Sequence, residues 1–326
     1  MQDGSMAIID VGHGNSAVLY NHGQVVVVDA GQGSALLEFL EQEKITRIHW
    51  MLISHADDDH IGGVIGVLSS KKVKIDQIWL NTDSIKGTDI YRDMLIEIDS
   101  DSSIKLRPAF TTNESREIQI GDYLIDVCYP TPAIAARGPG STDLKERPLT
   151  SNSMSAVLRL VYKNMPIILF PGDVDQVGLT NIKESGIDTS APIVVFPHHG
   201  GKHGKTSFEE YYSLFHELSK SETIIFSISR TKLNNPQPEL IKAIQKISPT
   251  ARIMCTQLSR HCSAKTPKDK NKHLIDMYSH GKQENKCCAG TVLIEFTKKG
   301  YSISPSPQIH HRFIDEKVAN PICRWS

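Results

Sequence analysis

Ser54-His55-Ala56-Asp57-Asp58-Asp59-His60-Ile61-Gly62-Gly63 places four candidate metal ligands, His55, Asp57, Asp59 and His60, within six residues. The apolar run His49-Trp50-Met51-Leu52-Ile53 precedes it, and Val64-Ile65-Gly66-Val67-Leu68 follows. This reads as a buried strand, a loop dense in ligands, and a helix packed closely through small residues. Three carboxylates and two imidazoles at the end of a buried strand would repel one another and lose hydration. A divalent cation removes both costs by supplying positive charge. The plainer reading is a solvated acidic turn in which Asp59 caps the next helix. The flanking histidines and the Gly-Gly pair favour the metal.

Outward from this loop, the chain alternates short apolar runs with amphipathic stretches. Met6–Asp10, Ala17–Tyr20 and Val25–Val28 read as a β-meander, with a helix over Ser34–Glu43. Strands follow at Ile48–Ile53 and Ile75–Leu80, a helix near Tyr91–Ile98, and strands at Ile118–Ile120 and Tyr123–Tyr129. After a Pro/Gly-rich loop over Pro130–Pro148, a hairpin turns at Lys163-Asn164. Strands at Ile193–Phe196, Thr223–Ile228 and Arg252–Cys255 then alternate with helices. Residues 256–288 read as an insertion, a last hairpin spans Val292–Ile303, and 305–326 reads as a short tail. The 326 residues suit one large domain with these appendages. The pattern predicts an α/β, αββα sandwich: two central sheets flanked by helices.

Composition excludes little but is informative. With a formal net charge of −1, no global field draws in nucleic acid, so such a partner must meet a local patch. No run approaches the about 20 apolar residues that span a bilayer, and no basic-then-apolar leader opens the chain. The expected setting is cytoplasmic, with no membrane partner.

Further candidate ligands stand where strands end: Asp29, Asp173 and the pair His198-His199. A lone strand-end Asp is usually only a turn former; several together with the loop carry more weight. Mixed nitrogen and carboxylate ligands suit Zn²⁺, Mn²⁺ or Fe²⁺.

The series Asp29-Ala30-Gly31, His55-x-Asp57-x-Asp59-His60-Ile61-Gly62-Gly63, Gly172-Asp173 and Pro197-His198-His199-Gly200 resembles the metallo-β-lactamase fold. It is most similar to the ComEC branch, the nuclease-like domain of a DNA-uptake channel and its free-standing relatives. Asp10-Val11-Gly12-His13-Gly14-Asn15-Ser16 and Asn152-Ser153-Met154-Ser155 extend the match. The resemblance implies two divalent ions, zinc or manganese. His55 and Asp57 would hold the first, with Asn152 where other branches place a histidine. Asp59, His60 and His199 would hold the second, and Asp173 would bridge both. Asp29 would orient the loop and His198 would contact phosphate. The implied chemistry is phosphodiester hydrolysis by a hydroxide that the metal pair activates, with Asp59 also a candidate proton acceptor.

One departure stands out. Relatives often carry His-Pro-His-Pro where this chain has Asn235-Pro236-Gln237-Pro238. Asn235 can hydrogen-bond a phosphate but cannot shuttle a proton. His13, where glutamine is common, is either a phosphate contact or a turn residue.

The segment before Gly290 holds Cys255, His261, Cys262, Cys287 and Cys288, a candidate structural zinc site, although the spacing is no standard CxxC pair. Buried apolar cysteines in a polar loop are the alternative. Lys268 and Lys270 belong to a basic run there, usable on a phosphate backbone or simply solvated. Three functions fit: a ComEC-like nuclease on DNA or RNA, a small-molecule phosphodiesterase or esterase, and a partner-regulated subunit of a bacterial defence complex.

Overall fold

Four consecutive valines, Val25 to Val28, cannot face one way in a strand, because successive side chains alternate between faces. Val26 and Val28 join Met6, Ile8, Leu52, Leu158 and Ile168 in one apolar cluster. Val25 and Val27 join Leu36, Phe39, Met51, Ile53 and Val64 in another. A strand buried on both faces must lie between two apolar layers, and the architecture follows from that.

The computed structural model describes residues 1–81, 83, 85–268, 271–298 and 300–324. Among them, the first sheet has the order β17 (Gly300–Ser304), β16 (Val292–Thr297), β1 (Ser5–Ile8), β2 (Ala17–Asn21), β3 (Gln24–Val28), β5 (Trp50–Ile53), β7 (Gln77–Leu80) and β8 (Lys105–Arg107). The second runs β15 (Arg252–Cys255), β14 (Thr223–Phe226), β13 (Ile193–Val195), β12 (Met165–Phe170), β11 (Val157–Tyr162), β10 (Tyr123–Tyr129) and β9 (Ile118–Ile120). β4 (Arg47–Ile48) and β6 (Lys74–Ile75) pair separately. The cluster containing Val26 fills the space between the sheets. Helices α1 (Ala35–Gln42), α2 (Asp58–Ser70) and α3 (Asp89–Ser100) cover the outer face of the first sheet. α5 (Gln176–Ser185), α6 (Phe208–Ser219) and α7 (Pro238–Ile247) cover that of the second. The expected αββα sandwich is the observed one.

Each sheet is antiparallel in one half and parallel in the other. β3, β5, β7 and β8 run parallel, as do β12, β13, β14 and β15. Side chains that leave the carboxyl ends of parallel strands converge on one edge of a sheet, which is where open α/β architectures build sites.

Three segments differ from expectation. The Pro/Gly-rich loop contains a short helix, α4 (Pro132–Arg137), started by Thr131 as N-cap and Pro132 in the first turn. The tail forms α8 (Pro307–Lys317), capped by Ser306, whose hydroxyl accepts from Ile309 N; it packs through Phe313 and Ile314. The spacing His310, Phe313, Ile314 buries one helical face. The insertion is tied down at its base. Gln257 bridges Cys287, Leu258 N donates to Lys286 O at 2.7 Å, and Cys288 N donates to Thr256 O at 3.1 Å. It also docks on Asp10, whose fully buried carboxylate accepts from Gly12 N (3.1 Å), Gln257 Nε2 (3.0 Å), Gly281 N (2.9 Å) and Cys287 Sγ (3.4 Å). Four donors, not a cation, make that buried charge tolerable. Among the described residues no helix is long and apolar enough to cross a membrane.

Burial, reinforced by Arg252, pushes the His310 imidazole down to about 3. An unfolded imidazole takes its proton near its ordinary value of about 6.5. Between these values only the unfolded chain binds the proton, so stability is full above the upper value and falls as pH falls. Wild type is expected to lose about 2 kcal/mol more than His310→Gln between about pH 7.5 and about pH 5. Denaturant unfolding at both pH values measures this, and equal losses would contradict it.

Candidate metal centre

Asp29 follows β3 in the left-handed region, with φ of 58°, where an Asp is tolerated better than most residues. That turn aims its carboxylate at the start of the neighbouring loop. Oδ1 accepts from Ser54 N at 2.7 Å, and Oδ2 accepts from Ser54 Oγ at 2.9 Å and from His60 Nδ1 at 2.8 Å. With its Nδ1–H committed, His60 presents Nε2, which stands 3.4 Å from Asp173 Oδ1. A fixed tautomer of this kind is how a carboxylate prepares an imidazole to ligate.

The Gly-Gly pair makes the turn possible. A β-carbon on Gly63 would stand 2.6 Å from the Gly31 carbonyl oxygen. Its absence lets α2 pack on the 29–31 turn, where Gly63 N donates to Ala30 O and Ala30 N donates to His60 O. Asp57 occupies the N-cap position of α2 but makes no side-chain capping bond. The acidic run therefore does more than cap, and Asp59 in the first turn faces inward, 3.0 Å from His199 Nε2.

The opposite wall comes from the second sheet. Asp173 follows β12 after Gly172, whose φ of +52° and closeness to Ser155 Oγ (2.1 Å from an added β-carbon) leave no room for a side chain. After β13, His198 and His199 both adopt left-handed backbone, with φ of 51° and 54°. Such strain is held only where neighbours over-determine it. Here His198 N donates to Asp173 Oδ1 at 2.9 Å, and His199 Nδ1–H donates to the Ser227 carbonyl at 2.8 Å. His199 is thereby left with Nε2 toward Asp59 and, at 4.0 Å, Asp173.

One ligand atom each from Asp59, His60, Asp173 and His199 lies within 4.8 Å of the others. His55 adjoins them, its ring centroid 4.1 Å from that of His60 and its Nε2 3.8 Å from Asp57 Oδ2. The Nε2 atoms of His55 and His60 are buried and have no hydrogen-bond partner. Orphaned acceptors in a buried, carboxylate-rich cluster are costly unless a cation completes them, so the residues present fit a metal. Burial and the neighbouring His60 push His55 down to about 4, which keeps it as the neutral imidazole that ligates. Burial opposes ionisation of Asp173, yet His60, His198 and His199 hold it well below the usual carboxylate range.

The remaining expected residues fall into three groups. His13 Nε2 is 3.2 Å from Asp59 Oδ2, so His13 stands at the centre as well as in a turn. Buried Asn235 lines the 360 Å³ mouth of the site with His13, Asp59, Asp173 and His199. Asn152 lines an adjoining cavity with Asp57 and His198. Lys268 lines neither cavity, and Lys270 lies outside the described residues.

Cys287 stands apart from the other expected cysteines. Cys287 gives its thiol to Asp10, Cys288 Sγ lies 3.3 Å from His310 Nε2, and Cys255 and Cys262 pack in the apolar core. His261 is anchored through its backbone N to Ser259 Oγ. Among the described residues, the Asp59 cluster is the sole group placed to hold a cation. Docking on Asp10 and the core ties the insertion down.

Sequence reasoning missed Lys86, whose ammonium pairs with Asp57 Oδ1, and Ser54 and Ser155, whose hydroxyls flank His55 Nδ1 at 3.0 and 3.4 Å. Lys86 comes from an irregular stretch with no periodic signal. Asp29→Asn keeps the left-handed turn but exchanges a charged acceptor for an amide. It is expected to weaken Zn²⁺ or Mn²⁺ binding about 10–100-fold in a chelator competition. Unchanged affinity would mean that Asp29 does not prepare His60.

Residues 9–89 match the family model of the metallo-beta-lactamase superfamily. No curated protein sequence matches the chain. Among solved structures, the metallo-beta-lactamase fold protein YhfI from Bacillus subtilis is similar at 10% identity, with 78% of this chain and 96% of that chain covered and a TM-score of 0.49. The metallo hydrolase Igni18 from Ignicoccus hospitalis is similar at 13% identity, with 77% and 94% covered and a TM-score of 0.44. Human tRNase Z, short form, is similar at 13% identity, with 69% and 93% covered and a TM-score of 0.39. Nothing about substrate transfers from structures this distant. The matched segment contains Asp29, His55, Asp57, Asp59 and His60, and it lies within the two-sheet sandwich described above.

Proposed function

We propose that this chain is a metal-dependent hydrolase that cleaves phosphodiester bonds, acting as a ComEC-like nuclease on DNA or RNA. The observation that carries the reading is the pairing of orphaned imidazole nitrogens, His55 Nε2 and His60 Nε2, with a carboxylate-rich cluster open to polar cavities. His55 and Asp57 would hold one divalent ion, and Asp59, His60 and His199 the other, with Asp173 shared. Zinc or manganese suits such a set. Bound there, the ions supply a water of lowered pKa and neutralise charge on the phosphoryl group.

The chain's own groups complete the proposal. His198 borders both cavities, and its Nε2 has no partner within the protein, so a phosphate oxygen is a fitting one. Asn235 and His13, across the mouth, can donate to a second oxygen. Asn235 Oδ1 accepts from Gln237 Nε2 at 3.2 Å. Asp59 lies against both His13 and His199, where it could take a proton from the attacking water. Asn235 has no proton to exchange near neutral pH, so proton delivery to the leaving group falls to another side chain or to solvent.

Asp173→Asn is expected to abolish Mn²⁺- or Zn²⁺-dependent cleavage of a phosphodiester while the chain still unfolds in one cooperative thermal transition. Elemental analysis of chain purified without chelators should give about two metals in wild type. Turnover retained by the variant would refute the reading.

A further inference from the structure

Beside the centre lies a cavity of about 530 Å³, within the size range of specific ligand sites. Its wall carries two carboxylates, and both are spent inside the protein. Asp57 pairs with Lys86. Asp175 caps α5, accepting from Val177 N at 2.9 Å, Gly178 N at 3.0 Å and Ser153 Oγ at 2.7 Å. Its other cations are not spent. Lys202 and Lys205 line the cavity, are exposed, and pair with no carboxylate among the described residues. The wall therefore offers two lysine charges that no described carboxylate pairs with, against the single carboxylate of Asp175 that no described cation neutralises.

Position adds to charge. His198 and Lys202 line both this cavity and the mouth into which Asp59, Asp173 and His199 open. A chain held at the centre and continuing past His198 meets Lys202 first and the Lys205 wall next. Beneath them His203 closes the wall, buried and stacked 5.6 Å from His198 with rings 14° apart, its Nδ1–H donated to the Gly201 carbonyl. That stack, packed on Tyr211 with ring centroids 3.4 Å apart, fixes the floor of the cavity and the base of the lysine loop.

We propose that this cavity is a subsite for a phosphate that is not cleaved, so that the substrate is a polynucleotide strand gripped at two or more phosphates. The subsite deepens the phosphodiesterase reading and rests on it for the identity of the strand. Lys202 and Lys205 act as charge contacts to the backbone and read no base. A diester with a single phosphate has no group to place there.

The test is equilibrium binding of a fluorescein-labelled single-stranded decanucleotide to the chelator-treated chain, which separates binding from turnover. Lys202→Gln with Lys205→Gln is expected to weaken binding about tenfold or more at low salt. It should also reduce the slope of log affinity against log salt by about 1.4, at about 0.7 for each lost single-strand contact. Lys183→Gln with Lys246→Gln removes the same net charge from lysines paired elsewhere, with Glu217 and Glu209, and is expected to change neither quantity. Binding by the Lys202/Lys205 variant equal to wild type, or weakened only as far as in that control, would overturn the subsite; each single variant serves if the pair does not fold. Lysine-dependent binding by a wild type that cleaves no diester with Mn²⁺ or Zn²⁺ would keep the subsite and remove the diesterase reading. Cleavage with lysine-independent binding would do the reverse.

Discussion

The buried carboxylate of Asp29 is the constraint on which the centre depends. It joins the end of β3, the ligand loop after β5 and the first turn of α2 through Ser54 and His60. Without it, His60 could rotate or carry its proton on the wrong nitrogen, and the Ser54 amide would be buried without an acceptor. α2 approaches the 29–31 turn so closely at Gly63 that a β-carbon there would collide with the Gly31 carbonyl. One ionised oxygen pair thus orders a helix, a loop and a ligand together.

Much of this was legible in the sequence because the signals were local. The run from Ser54 to Gly63 carries strand end, ligands and close-packing glycines in ten consecutive positions, and the four valines of β3 read as a strand of a meander, whose burial on both faces the structure shows. Asp173 and His199 were legible by their place after apolar runs. Lys86 was not, since it reaches Asp57 from a segment without periodicity. Lys202, Lys205 and His203 could have been found by reading past His199 into the same loop.

The cysteines were less legible. Their crowding in sequence suggested a shared ion, but sequence does not give side-chain direction, and adjacent Cys287 and Cys288 point to different neighbours, Asp10 and His310. What orders the insertion is a buried anion ringed by four donors, and sequence spacing does not reveal a partner 271 residues away. Asp10 also begins the loop that carries His13 to the centre, so the insertion and the site share one anchor.

The side chains of the centre come from both halves of the sandwich: Asp29, His55, Asp57, Asp59 and His60 from the first sheet, Asp173 and His199 from the second. The apolar filling between the sheets therefore works as a spacer that gauges the distance between the two groups. Interiors packed at crystal-like density transmit small changes in volume. Side chains such as Leu158 or Ile168, which fill that space, thus help to set how far apart the two walls of the centre stand.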